Sequence, residues 1–103
     1  MAVPAPEGRA DVVVRDNPER GRYEAHVGST IAGFSDYHAQ PGLITVTHTE
    51  IDPAFEGQGL GSHLVRELLD DVRRQGAKVL AICPFVRAYL QRHPEYADLV
   101  WKP

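Results

Sequence analysis

The stretch "FEGQGLGSHLVRELL", residues 55–69, decides how this chain is read. Glycine stands at 57, 59 and 61, and from Leu60 onward apolar residues recur at helical spacing. Leu60, Leu64, Val65, Leu68, Leu69 and Val72 form one stripe, with Arg66, Glu67, Asp70, Asp71, Arg73 and Arg74 between them. This predicts an amphipathic helix over 60–75, its charges a solvated face, stopped by Gly76 with arginines in its last turn. Bare backbone at the start of a helix leaves the orphan N–H groups of the first turn open to an anion. A phosphate or diphosphate is the natural guest; a plain connector or a tight helix–sheet contact is the structural alternative.

Two nucleotide-binding patterns fail here. No lysine follows the glycines, which excludes G-x-x-x-x-G-K-[ST]. The dinucleotide pattern G-x-G-x-x-G needs its third glycine at Ser62, and the loop follows what reads as an antiparallel meander. Phosphate binding survives and NAD binding does not.

Upstream of the loop the period is two. "DVVVR" (11–15), "RYEAHVG" (22–28), "TIAGFSDYHA" (30–39) and "GLITVTHTEID" (42–52) read as four strands joined by short turns. In the second, Tyr23, Ala25 and Val27 share one face and Arg22, Glu24 and His26 the other. Gly33 weakens the third strand or marks a bulge. Downstream, "AKVLAIC" (77–83) reads as a buried strand. "PFVRAYLQRH" reads as a helix that opens on Pro84 and closes before Pro94. The fourth strand, the helix and the fifth strand are long enough together for a right-handed parallel crossover. The expected fold is α/β (α+β): a mixed, mainly antiparallel sheet of about five strands with two main helices.

Bulk properties narrow the function classes. With 103 residues, a mobile tail over 1–10 and one domain over 11–103 are expected. A net charge of -3 argues against sequence-independent nucleic-acid binding. No apolar run nears the ~20 residues of a membrane span. "MAVPAPEGRA" lacks a signal-peptide core, and one cysteine permits no internal disulfide, so a cytoplasmic protein is expected. The histidines show no zinc spacing.

A meander, then [Q/R]-x-x-G-x-[G/A] opening a helix, then a strand and a short helix, resembles the GNAT superfamily of acetyl-CoA-dependent N-acetyltransferases. Its motif positions here are Glu56, Gly57, Gln58, Gly59, Leu60 and Gly61. The chain is closer still to the compact single-domain members, which share "HTE" on the fourth strand, a cysteine ending the fifth, and an "HPEY"-like turn. These are His48–Glu50, Cys83 and His93–Tyr96. The resemblance covers roughly residues 11–100 and implies that acetyl-CoA binds through Ile51 and Glu56 to Ser62. The pantetheine arm would lie in a splay between the fourth and fifth strands. Glu56 departs from the usual Gln or Arg, and as a carboxylate near a diphosphate it is expected to face solvent. The helices that larger members insert after the first strand are absent, so the resemblance leaves the amine acceptor unnamed.

Acetyl transfer to an amine needs a base, because a lysine-like amine is neutral only about once in a few thousand molecules at pH 7. Glu50 and His48 lie two apart on one strand face. By the resemblance Glu50 is the base, with His48 as base or relay; otherwise they are an edge carboxylate and a hydrogen-bonded histidine. Cys83, ending a strand before a helix, is either a small buried hydrophobe or a reactive thiol; the resemblance implies that it is a nucleophile carrying the acetyl group. By the resemblance Tyr89 is the acid that protonates the leaving thiolate; otherwise it is, like Tyr96, core packing. The leading reading is an acetyl-CoA:amine N-acetyltransferase. The rivals are a non-catalytic acyl-CoA-binding module and a thioesterase using Cys83 with His48. An open sheet of this size could also pair into a homo-oligomer.

Overall fold

The computed structural model describes residues 11–103; the tail expected over 1–10 lies outside them. Five strands form one sheet in chain order: β1 (Val12–Asn17), β2 (Arg22–Val27), β3 (Thr30–Gln40), β4 (Leu43–Ile51) and β5 (Lys78–Ala81). The first four pair antiparallel, and β4 pairs β5 in parallel across the intervening helix α1 (Leu60–Arg74). Helix α2 (Pro84–Arg92) follows β5, and two 3-10 segments cover Pro53–Phe55 and Pro94–Leu99. This is the GNAT-like mixed sheet with two main helices that the sequence implies. The last segment, expected only as a turn, is a wound element that packs on α1.

Burial explains why α1 lies where it does. Leu60, Leu64, Val65, Leu68, Leu69 and Val72 are all at most 1% exposed and join Ile44, Val46, Ala25 and Val79 in one core. Burying one such side chain stabilises by about 1.5–3 kcal/mol, against about 0–1 for an exposed ion pair, so the apolar stripe sets the helix orientation. Gly76, at φ 69°, ends the helix as expected.

The charged positions of α1 correct their reading as a merely solvated face. Tyr23 donates to Asp71, Tyr96 donates to Asp70 at 2.6 Å, and Arg73 holds Asp98 at 2.7 Å. Burial, and then the carboxylate each one faces, push the Tyr23 and Tyr96 phenols upward.

Two bulges shape the sheet near the glycine loop. The β2–β3 register slips opposite Ala25 and His26, leaving Ala32 as the extra residue, beside the Gly33 that flagged it. The β3–β4 register slips between Asp36 and Tyr37, leaving Thr47 as the extra residue of β4. The fifth strand is shorter than 77–83 suggests and ends at Ala81. There the Val46 carbonyl accepts from both Ile82 and Cys83, at 2.9 and 3.0 Å, as the chain turns into α2. Beyond Val46, β4 has no strand partner on that side among the described residues. On the outer edge of β5, Val100 bridges Val79, and the Trp101 N–H donates to the Val79 carbonyl at 2.8 Å. That cover blunts an otherwise open sheet edge.

Candidate active site

The glycines of the loop do two different jobs. Gly57 and Gly59 take positive φ (79° and 75°), a conformation costly for any residue with a Cβ. Gly61 permits contact: a Cβ there would meet the Phe85 ring at 2.6 Å, so α2 can pack onto the first turn of α1. Gly59 is the N-cap of α1 and offers no side-chain cap. The first helical bond is His63 N–H to the Gly59 carbonyl at 3.1 Å, which leaves the N–H groups of Leu60, Gly61 and Ser62 without helical acceptors. They border an open cleft of ≈ 270 Å³ that also reaches Ile51, Glu56 and Phe85. Every position assigned to the diphosphate except Gln58 lines this cleft. Glu56 is exposed and lines it too.

The unpaired part of β4 leads into the same cleft through Ile51. Here the bulge at Thr47 redistributes the strand's side chains. His48 and Glu50 point to the helix-free face, where they are more than half exposed and paired at 3.2 Å. His48 stands 6.1 Å from the Phe34 ring, and Glu50 lines a shallow pocket of ≈ 220 Å³ with Arg22, Phe34 and Asp52. Thr49 points the other way, into the core. Its hydroxyl receives the Cys83 thiol at 3.4 Å and meets the Ser35 hydroxyl at 2.8 Å.

Cys83 is therefore beside Thr49 and across the sheet from His48. It caps α2 with extended backbone (φ -62°, ψ 123°) and no side-chain cap bond, 3% exposed. The thioesterase pairing of Cys83 with His48 is not the contact that forms. Tyr89 is 1% exposed, stacked on His93 with centroids 3.9 Å apart and tilted against Tyr96.

Sequence reasoning missed three site features. Thr49 sat inside "HTE" but was passed over for its neighbours, since a hydroxyl carries no charge to attract notice. Ser35, fully buried, had no signal of its own. Glu24 is placed by alternation only on the face opposite Tyr23; it is 4% exposed, held by Arg22 at 2.8 Å, His26 at 3.0 Å and Asn17 at 3.2 Å. Arg22 in turn lies over the Phe34 ring, 4.6 Å from its centroid.

A profile of GCN5-related N-acetyl-transferases matches residues 22–99. Protein NATD1 of Gallus gallus is 29% identical over 52 residues, which is 50% of this chain and 47% of that protein. Its Homo sapiens counterpart is 29% identical over the same length, 46% of that protein. The chain thus spans about half the length of the curated relatives it matches. Among solved structures, the solution NMR structure of a GCN5-like protein from Staphylococcus aureus covers 92% of this chain and 93% of its own. The TM-score is 0.68 at 18% identity, a likeness of fold.

Proposed function

This chain belongs to the family of GCN5-related N-acetyltransferases, and from that premise we propose that it moves an acetyl group from acetyl-CoA to an amine. The observation that carries the reading is that one cleft joins the uncapped start of α1 to the unpaired end of β4. Open N–H groups suit a diphosphate, each worth about 0.3–1 kcal/mol through the helix dipole and more where sheltered. Leu60, Gly61 and Ser62 would supply them, with Gly57 and Gly59 shaping the turn. The bare edge of β4 beyond Val46 offers backbone groups to an extended pantetheine arm, ending beside Cys83.

Acetyl-CoA supplies the activated thioester. The acyl group, laid along an edge with no neighbouring strand, is reachable from both faces of the sheet. On the helix-free face, Glu50, hydrogen-bonded to His48, takes the ammonium proton. The freed amine nitrogen bonds to the carbonyl carbon, the carbon–sulfur bond breaks, and CoA leaves as the thiol with the nitrogen's second proton. On the helix side, Cys83 can accept the acetyl group first, its thiol proton passing to the departing CoA sulfur, and hand it on to the amine.

The test is incubation with acetyl-CoA and a panel of amines (a lysine peptide, a polyamine, an amino acid), read by mass spectrometry. One amine should gain a single acetyl group, with Glu50→Gln slowing transfer about 10²-fold or more. Transient acetylation at residue 83 in the intact chain would mark the cysteine route. CoA binding with no acetylated amine would leave an acyl-CoA-binding module in place of an enzyme.

A further inference from the structure

We propose that Thr49 is a positioning residue for the Cys83 thiol, with Ser35 behind it; this deepens the reading of Cys83 as acetyl carrier. The observation is a chain of three groups, with Cys83 and Ser35 buried at its ends and Thr49 half-buried between them. Cys83 Sγ lies 3.4 Å from Thr49 Oγ1, and Thr49 Oγ1 lies 2.8 Å from Ser35 Oγ, with Cys83 3% and Ser35 0% exposed. Thr49 and Ser35 are direct cross-strand partners, so the backbone fixes their spacing. They occupy the helix-side face, which the rest of β4 fills with Ile44 and Val46.

Two hydroxyls in an apolar layer cost desolvation unless they are used. What they can do follows from their chemistry. Each hydroxyl proton rotates freely, and each oxygen both donates and accepts. With the thiol protonated, the bond runs from sulfur to Thr49 and on to Ser35. With the sulfur ionised, both protons swing round: Ser35 donates to Thr49, and Thr49 donates to the thiolate. The chain therefore satisfies either state without moving a heavy atom, and it gives a buried thiolate the donor it needs. No proton travels along it; the thiol proton leaves with the departing CoA sulfur.

A plain cross-strand Thr–Ser pair stabilises a sheet without affecting a cysteine, and the test separates the two roles. Cys83 is the sole cysteine of the 103 residues, so any label found by mass spectrometry on the native chain reports residue 83. Iodoacetamide forms a sulfur–carbon bond and expels iodide, the proton going to buffer. A hydrogen bond to a charged group changes thiolate content by roughly ten- to a hundred-fold. Because a more basic thiolate is also the better nucleophile, about three- to ten-fold remains in the rate.

Thr49→Val should therefore slow alkylation about three- to ten-fold. Thr49→Ser should restore most of the rate, and Ser35→Ala should fall between them. Melting midpoints confirm that each variant is folded; should Thr49→Val not fold, Ser35→Ala and Thr49→Ser still order the rates. The proposal is overturned if wild-type Cys83 is inert in the native chain, if the hydroxyl-free variants react at the wild-type rate, or if Thr49→Ser gives no rescue. Stabilisation of the wild-type chain by acetyl-CoA is measured separately, so a failure of the cofactor reading shows there and not in the alkylation rates.

Discussion

Glu24 is a carboxylate almost out of reach of water on the helix-free face of the sheet, and its partners decide its behaviour. Burial alone raises its carboxyl; hydrogen bonds from Arg22, His26 and Asn17 outweigh burial and hold it below the ordinary range. The folded carboxyl is thus more acidic than the unfolded one. Its stabilisation is complete above the unfolded value of roughly 4.3 and is lost as pH falls through the folded value. Glu24→Gln should cost about 1–3 kcal/mol at neutral pH, with a smaller gap to wild type at an acid pH below the unfolded value. Urea unfolding at both pH values checks this, and a gap that widens in acid would contradict it. Alternation in "RYEAHV" placed Glu24 correctly opposite Tyr23 and Ala25. It could not show burial, because the Arg22 guanidinium that covers it lies on the Phe34 ring, a contact made across strands.

At the scale of elements, the end of β4 depends on a close approach by β3. A Cβ built on Gly33 would stand 2.5 Å from Ile51 Cδ1 and 2.9 Å from the Glu50 carbonyl oxygen. Gly33→Ala should therefore cost about 1–3 kcal/mol through strand displacement, measured by denaturant unfolding. A loss below a few tenths would mean the strands give way freely. The helices and strands themselves were legible because their apolar periods are regular, as in the six buried positions of α1. The glycine loop was legible because Gly57 and Gly59 need positive φ and a local motif carries that need. The bulge at Thr47 was not, since a one-residue slip depends on which Tyr37 or Asp36 partner the strand finds. It is this slip that sends Thr49 to Cys83 while His48 and Glu50 face away. The early end of β5 was equally hidden: "AKVLAIC" stays apolar past Ala81, and only the doubly used Val46 carbonyl marks the turn away.

The whole molecule is organised around α1, which the sheet and the C-terminal segment hold from different sides. Tyr23 reaches Asp71 from β2, while Tyr96 and Asp98 reach Asp70 and Arg73 from the chain's end. These partners lie between 25 and 48 residues from the helix positions they meet, so no local pattern in the sequence announces them. These contacts hold the last turns of α1, the apolar stripe seats the whole helix on the sheet, and its start meets the end of β4 across one cleft. Everything proposed for this chain requires that this junction hold acetyl-CoA. Thermal unfolding with acetyl-CoA, CoA and NAD added in parallel tests it most directly. At about 100 times the dissociation constant, native-state binding adds roughly 2.7 kcal/mol. For a domain of this size that raises the melting midpoint by about ten degrees or more. That rise is expected with both CoA species and none with NAD; an unchanged midpoint at saturating acetyl-CoA would rule out acetyl-CoA binding at this junction.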